Sequence, residues 1–297
     1  MKMNNKIQAG SLLLLAQLMT GINIVGSKYL LSSLPILFLL LIRFGLGTLC
    51  LLPICWFSNL KESPVEQLKG LARRDFYFIL AQAVCAGVLF NLLMLWGLSK
   101  TQANVAGIIT SALPAVILIL SWLILREALT LKKAGCIALA TLGLIIISNS
   151  KSQGMTFHSS VTGDLIIFLA LVPEAMYYVL SKLYKSKASA TVIAVLINFI
   201  NTLLMLPIAL FFMPLTLPAL TDLQILVILA VGLSSALFYV FWALGSVKVD
   251  AAMGSLSTAL MPICTVVIAA ICLDEMINLS QGLGMLLVIG SILFYAL

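Results

Sequence analysis

The sequence predicts an all-α membrane protein with ten transmembrane helices, arranged as two inverted repeats of five helices each. Three observations lead to this fold class. The chain of 297 residues is 62% hydrophobic and 9% charged, whereas soluble domains carry about 25% charged residues. Its apolar runs are about 20 residues long, which is the length of a helix that crosses a bilayer. The two halves of the chain also repeat the same motifs.

Ten apolar runs follow one another with short connections. They cover residues 7–31, 34–57, 75–98, 103–125, 131–149, 163–184, 189–213, 222–246, 251–273 and 279–297. The first run is interpreted as a retained span, because no small-x-small cleavage site is evident in it. The two longer connections are 58–74 and 150–162.

The Lys and Arg residues predict the orientation, since they concentrate on the cytoplasmic side of membrane proteins. With the N-terminus inside, the outer segments contain only Lys28, Lys100 and Lys151, and Arg43 lies within the second run. The inner segments contain Lys2, Lys6, Lys61, Lys69, Arg73, Arg74, Arg126, Lys132, Lys133, Lys182, Lys185, Lys187 and Lys248. Both termini are therefore expected in the cytoplasm.

The repeat is visible in matched spacings. Pro114 precedes Glu127 by thirteen residues, and Pro262 precedes Glu275 by the same distance. The polar residues of the first run align with those of the sixth; the pairs are Thr20 with Glu174, Asn23 with Tyr177, Ser27 with Ser181 and Lys28 with Lys182. We expect a first repeat at residues 1–149, a linking loop at 150–162 and a second repeat at 163–297. Because each repeat has an odd number of spans, the second is inverted in the membrane, an arrangement suited to alternating access.

Glu174 is the most informative residue of the chain. It lies near the middle of the sixth run, about 16 Å from either end at ~1.5 Å per residue. A charged side chain at that depth costs about 2.5–3.5 kcal/mol on insertion scales, so it is expected to face the bundle interior or a wet cavity. Tyr177 and Ser181 share its helix face. The alternative is a structural glutamate paired with Arg43.

These patterns give a set of candidate residues. We expect substrate to contact Glu174, Tyr177, Thr20, Asn23, Asn91, Tyr239, Ser111 and Thr258, and a gate to involve Trp96, Trp242 and Lys28. The alternatives are helix-bridging hydrogen bonds for Thr20 and Asn23 and interfacial anchoring for the two tryptophans. Arg43 is expected to pair with backbone carbonyls or a carboxylate, and Glu127 and Glu275 to stabilise the N-terminus of the following helix.

With these motifs, the chain resembles the drug/metabolite transporter superfamily in its EamA branch. The likeness extends over essentially all residues and depends on the two five-helix halves, on GINIVGSKYL with Pro35 and Arg43-Phe44, and on REALT at 126–130 and DEMIN at 274–278. It implies a ten-helix bundle that moves solutes by alternating access through a cavity lined mainly by spans 1, 3, 4, 6, 8 and 9. Pro173-Glu174 departs from the Trp-Ala pair that is common there.

The function expected is that of a secondary transporter, acting as an exporter of small organic solutes such as amino acids in a bacterial-type inner membrane. No nucleotide-binding motif of the type G-x-x-x-x-G-K-[ST] occurs, and one histidine and scattered cysteines predict no metal site, cofactor or catalytic residue. The expected partners are a small-molecule substrate and the lipid bilayer, with proton coupling and a monomer or homodimer, and no nucleic acid. The alternatives are a membrane-embedded enzyme of lipid or prenyl chemistry and a non-transporting membrane partner.

Overall fold

The computed structural model shows a helical bundle. It describes residues 2–30, 33–57, 63–98, 100, 109–110, 112–149, 161–184, 186, 188–212, 220–272, 277 and 279–296. The helices are α1 (Lys2–Leu30), α2 (Ile36–Phe57), α3 (Pro64–Lys69), α4 (Arg73–Ala83), α5 (Phe90–Leu98), α6 (Leu113–Leu125), α7 (Leu131–Asn149), α8 (Val161–Leu183), α9 (Ala190–Phe212), α10 (Asp222–Ser246), α11 (Ala251–Thr258), α12 (Leu260–Cys272) and α13 (Leu279–Ala296). A π-helical segment, Val84–Leu89, joins α4 to α5.

The predicted all-α membrane class is confirmed. Within the described residues, seven helical stretches are long and apolar enough to cross a bilayer, and Leu113–Leu125 and Leu279–Tyr295 are shorter apolar helices. Each of the ten predicted spans contains at least one helix among the described residues. The helix α8 begins at Val161, two residues before the expected start of the second repeat.

Among the described residues, the fourth and the ninth spans each contain a turn shortly before a proline of the repeat. Pro262 has no N–H to donate to the carbonyl of Thr258, four residues earlier, and α11 ends at Thr258. In the first half, α6 starts at Leu113 after a turn at Ala112, with Pro114 in its first turn. Each proline of the repeat therefore follows a turn, as expected because a proline has no N–H to donate to the preceding helical turn.

The packing of helices is symmetric under exchange of the two halves. The first span, α1, packs against α10 and α12, and its counterpart α8 packs against α5 and α6. The second spans of the two halves, α2 and α9, pack against each other, and so do the fifth spans, α7 and α13. This pattern is expected if a pseudo-two-fold axis relates the halves.

The contact between α7 and α13 depends on glycine. A Cβ atom on Gly143 would lie 2.7 Å from the carbonyl oxygen of Gly284, and one on Gly284 would lie 2.6 Å from that of Gly143. Small residues allow this close approach, which drives helix association in lipid. The remaining helices surround a core of buried side chains from α1, α2, α4, α6, α8, α9 and α10, and that core contains the candidate residues Tyr177, Tyr239 and Trp242.

Candidate functional site

Glu174 lies on α8, which continues as one helix through Pro173. The hydroxyl of Tyr178, one turn further on, lies near enough to the Glu174 carboxylate to interact with it as a hydrogen-bond donor. Glu174 also interacts electrostatically with Arg43 of α2 and with Cys85 of the π-helical segment. The carboxylate therefore faces the bundle interior, within electrostatic range of α2 and of the third span.

An aromatic wall extends from Glu174 toward the C-terminal end of α8. Tyr177 packs edge-on against Tyr239 of α10, with ring centroids 5.7 Å apart. Tyr178 packs edge-on against Trp242, also of α10, at 4.5 Å. The Trp242 indole N–H donates to the Ser181 hydroxyl over 3.0 Å. Since Trp242 is only 2% exposed, it is an interior residue, and the alternative of an interfacial anchor is wrong for it.

Asn23 and Arg43 form a polar pair between α1 and α2. The Arg43 Nη1 group donates to the Asn23 Oδ1 atom over 3.2 Å, and Asn23 Nδ2 donates to the Val231 carbonyl over 3.1 Å. Arg43 also interacts electrostatically with Tyr239 and Glu174. The expected partners of Arg43, a backbone carbonyl or a paired carboxylate, are therefore replaced by a side-chain amide.

Three other candidates use their donors within their own helices. The Thr20 hydroxyl donates to the Ala16 carbonyl over 3.2 Å, and the Thr258 hydroxyl donates to Ser255 over 2.7 Å. Asn91 Nδ2 donates to the carbonyls of Ala86 and Gly87 in the π-helical segment. These side chains can therefore bind a ligand only through their oxygen atoms, as hydrogen-bond acceptors.

The remaining candidates lie apart from this cluster or outside the described residues. Trp96 is 56% exposed, which fits an interfacial residue at least as well as a lid. Lys28 falls in α1, but its side chain is outside the part that the structure describes, and Ser111 is outside it altogether.

Sequence reasoning missed Gln17, a polar residue of the interior. Gln17 of α1 is fully buried, and both its amide nitrogen and its amide oxygen are without a hydrogen-bond partner in the described structure. The Nε atom of Arg43 is also buried without a partner there. Buried polar groups are normally hydrogen-bonded, so these atoms are available to a ligand or to water. The signal that could have found Gln17 is its position in an apolar run, two helical turns before Asn23 and Ile24.

A second polar cluster, which we name the inner ion cluster, consists of Glu127, Lys133, Lys182, Asp250 and Tyr295. The Lys182 ammonium lies 3.1 Å from one Glu127 oxygen, and Lys133 lies 3.6 Å from the other and 3.4 Å from Asp250. The Tyr295 hydroxyl donates to Asp250. The cluster thus joins the ends of α6, α8 and α13 to the starts of α7 and α11.

The position of Glu127 corrects one expectation. Arg126 adopts left-handed backbone, with φ of 56°, and this conformation ends α6 at Leu125. Both Glu127 carboxylate oxygens then accept from the Ala251 N–H, at 3.2 and 3.3 Å. Glu127 therefore stabilises the N-terminus of α11, from the other half of the chain, rather than only the N-terminus of the helix that follows it.

Asp250 is the N-cap of α11, since its side chain accepts from the Met253 N–H. Burial alone would raise the pKa of Asp250. The hydrogen bonds from Tyr295 and Met253, together with the charge of Lys133, outweigh burial and hold this pKa below its ordinary value. Asp250 is therefore charged at neutral pH, as its place between a lysine and a helix N-terminus requires.

Ion pairs distinguish the inner ion cluster from the polar residues around Glu174. The inner ion cluster contains three ion pairs, whereas Glu174 and Arg43 form none with each other in the described structure. No group of three His, Cys, Asp or Glu side chains that could hold a metal occurs in that part of the chain. The central residues therefore present one carboxylate, one guanidinium and several amide and aromatic groups.

Comparison with known proteins gives consistent matches. A model of the EamA-like transporter family matches residues 8–149 and again residues 161–297. The chain is 29% identical over 294 residues to the uncharacterized transporter YetK of Bacillus subtilis strain 168, covering 97% of this chain and 87% of that protein. It is 27% identical over 257 residues to the uncharacterized transporter YyaM of the same organism, covering 84% and 81%. A crystal structure with 15% sequence identity superposes with a TM-score of 0.79 over 97% of this chain and 96% of that one, which shows the shared fold.

Proposed function

The chain belongs to the EamA-like transporter family, as its motifs indicated, and we propose that it is a secondary transporter that exports amino acids or related small amines from the cytoplasm. The observation that carries the proposal is Glu174. A carboxylate in the middle of the membrane costs free energy unless it binds a ligand or a proton, even when it faces the interior and interacts electrostatically with a guanidinium. A solute with an ammonium group, or a coupling proton, gives it that role.

The substrate site that we propose is the space around Glu174, lined by α1, the third span, α8 and α10. Glu174 pairs with the cationic end of the solute, and Tyr177 and Tyr239 supply the aromatic wall. Asn23 supports the site through its hydrogen bond from Arg43. Acceptor oxygens complete the set, from Thr20, Asn91, Thr258 and Ser111.

The inner ion cluster is the closed inner gate of this transporter. Two of its ion pairs, Lys182 with Glu127 and Lys133 with Asp250, connect the two halves at one end of the bundle, so the solute path cannot open there while they persist. The repeat places Lys28 and Glu275 at the positions that Lys182 and Glu127 occupy in the other half. We expect Lys28 and Glu275 to pair when the outer end closes, with Trp96 and Trp242 covering the path on either side.

The membrane orientation follows from charge, with both termini in the cytoplasm of a bacterial-type cell and the inner ion cluster on the cytoplasmic side. Single cysteines at Ser63 and Ser159, on a cysteine-free background, test it with a membrane-impermeant thiol reagent on intact cells. The reagent is expected to label Ser159→Cys only. Labelling of Ser63→Cys alone would reverse the orientation.

Transport itself is tested in proteoliposomes with a panel of radiolabelled L-amino acids and small amines. Glu174→Gln keeps the shape of the side chain and removes its charge. We expect it to insert and fold but to lose solute accumulation, whereas Asp222→Asn, at the exposed start of α10, retains it. Counterflow exchange that survives in Glu174→Gln would assign Glu174 to proton coupling, and a selective loss of affinity for amines would assign it to the solute. Normal accumulation by Glu174→Gln would refute the proposal.

A further inference from the structure

A small chamber lies between Glu174 and the inner ion cluster. Its walls include Ser121 of α6, Tyr178 and Lys182 of α8, Ser246 of α10 and Asp250. The chamber thus spans the interval from the aromatic wall to the cytoplasmic end of the bundle. It shares Lys182 and Asp250 with the inner ion cluster, and no role has been given to its interior above.

The chamber is lined by hydroxyl groups that can form hydrogen bonds with a water molecule. The hydroxyls of Ser121 and Ser246 both line it, and both are buried without a hydrogen-bond partner in the described structure. Its accessible volume of about 10 Å³ is close to the least that holds one water molecule. Two buried hydroxyls that face the same space provide the hydrogen-bond partners that a buried water requires.

Tyr178 connects the chamber to Glu174. Tyr178 lines the chamber, and it also interacts with the Glu174 carboxylate, to which its hydroxyl can donate. A phenolic hydroxyl donates and accepts at the same time, so one side can bond Glu174 while the other accepts from water. At the opposite end the chamber reaches Lys182 and Asp250, whose side chains are partly exposed.

We propose that Tyr178 and the water in this chamber form the inner proton path to Glu174. The inference depends on the proposed role of Glu174 in coupled transport. In the inward step the Tyr178 O–H gives its proton to the Glu174 carboxylate and its oxygen takes a proton from the chamber water. That water regains a proton from the cytoplasm, so the tyrosine and the water end unchanged and one proton has reached Glu174.

Other charged and titratable groups around Glu174 affect the equilibrium of proton binding at Glu174 and are not part of the proton path. Arg43 of α2, Cys85 of the π-helical segment, Tyr177 of α8 and Tyr239 of α10 all interact electrostatically with Glu174. Lys182 and Asp250, with Glu127 beyond them, face the other end of the chamber. The groups that interact electrostatically with Glu174 influence the pH at which it binds a proton. Tyr178 and the chamber determine how fast that proton arrives.

The path is tested without any solute, by infrared spectroscopy of the full chain in liposomes after a rapid drop in pH. The Glu174 carboxylic acid band is the one that is missing in Glu174→Gln. We expect Tyr178→Phe, which retains the ring that packs on Trp242, to slow the appearance of this band strongly. The double variant Ser121→Ala with Ser246→Ala should do the same. Tyr77→Phe, on an exposed tyrosine of α4, is the matched control and should leave the rate unchanged.

The outcomes separate the two proposals. If no carboxylic acid band disappears in Glu174→Gln, then Glu174 takes up no proton and its coupling role fails together with the path. If the band is present in wild type and its rate is unchanged in Tyr178→Phe and in the double serine variant, the path is refuted, while Glu174 retains its proposed role. A slowed band in Tyr77→Phe as well would show a non-specific effect and would also refute the path.

Discussion

At the inner end of the bundle, Glu127 accepts a backbone N–H and pairs with two lysines, and Asp250 accepts from a tyrosine, a helix N-terminus and a lysine. In the centre, Gln17 has no partner for either amide atom and Arg43 has none for Nε in the described structure. Both regions are polar, but the side chains of the inner end are partly exposed, whereas Gln17 is fully buried. The difference teaches that the inner end gains stability from its polar groups, whereas the centre holds polar groups at a cost in stability, as binding sites do.

The largest effect is expected from breaking the inner ion cluster. Glu127→Ala removes the partner of Lys182 and of the Ala251 N–H, and charged hydrogen bonds of this kind contribute about 2 kcal/mol. The variant should therefore unfold at a lower temperature in detergent, as followed by tryptophan fluorescence. The control, Asp222→Asn on the exposed first turn of α10, should differ from wild type by less than about 0.5 kcal/mol. Equal stability of Glu127→Ala and wild type would remove the contrast between the two regions.

A smaller effect, of opposite sign, is expected in the centre. Gln17→Met keeps the length of the side chain and removes two buried atoms that have no partner in the described structure, so stability should rise by about 1 kcal/mol. Solute accumulation should fall at the same time, if the amide serves the site. The matched control is Gln224→Met, which removes the capping hydrogen bonds to Thr221 and Ser33 and should lower stability by about 1 kcal/mol. A loss of stability in Gln17→Met as large as that in Gln224→Met would show that Gln17 is a structural residue.

The smallest effect concerns pH. The pKa of Asp250 in the folded protein lies below its ordinary value of 3.8, so its contribution is fully present above that value and is lost as the pH falls through the folded pKa. Thermal stability in detergent should decline as the pH is lowered below about 4. Asp250→Asn should make that decline shallower, and Tyr295→Phe should do so to a lesser extent. An unchanged slope in Asp250→Asn would mean that Asp250 is not stabilised in the folded state.

Local patterns in the sequence predicted the helices and the depth of Glu174, because hydropathy and helical spacing are properties of neighbouring residues. The partners of the polar residues were harder to predict. Glu127 reaches Ala251 of the other half, and Arg43 reaches Asn23 of another span, and both contacts depend on how helices pack. The π-helical segment has no local signature either, and the position of Gln17 in an apolar run indicates its burial but not that its amide lacks a partner. Interfacial anchoring was an alternative for Trp242 because a tryptophan near the end of a span is typical of the membrane interface, whereas its burial depends on how α8 packs against α10.

The most direct test of the central claim, that solutes pass the centre and that the inner ion cluster closes their path, is thiol accessibility at Thr20→Cys on a cysteine-free background. A charged thiol reagent is applied to either face of sealed vesicles. We predict labelling from the outer face alone, and labelling from the inner face as well once Glu127→Ala is added. Leu14→Cys, on the exposed face of α1, is the lipid-facing control and should remain unlabelled. Failure of the reagent to reach Thr20→Cys from either face in both backgrounds would contradict the account.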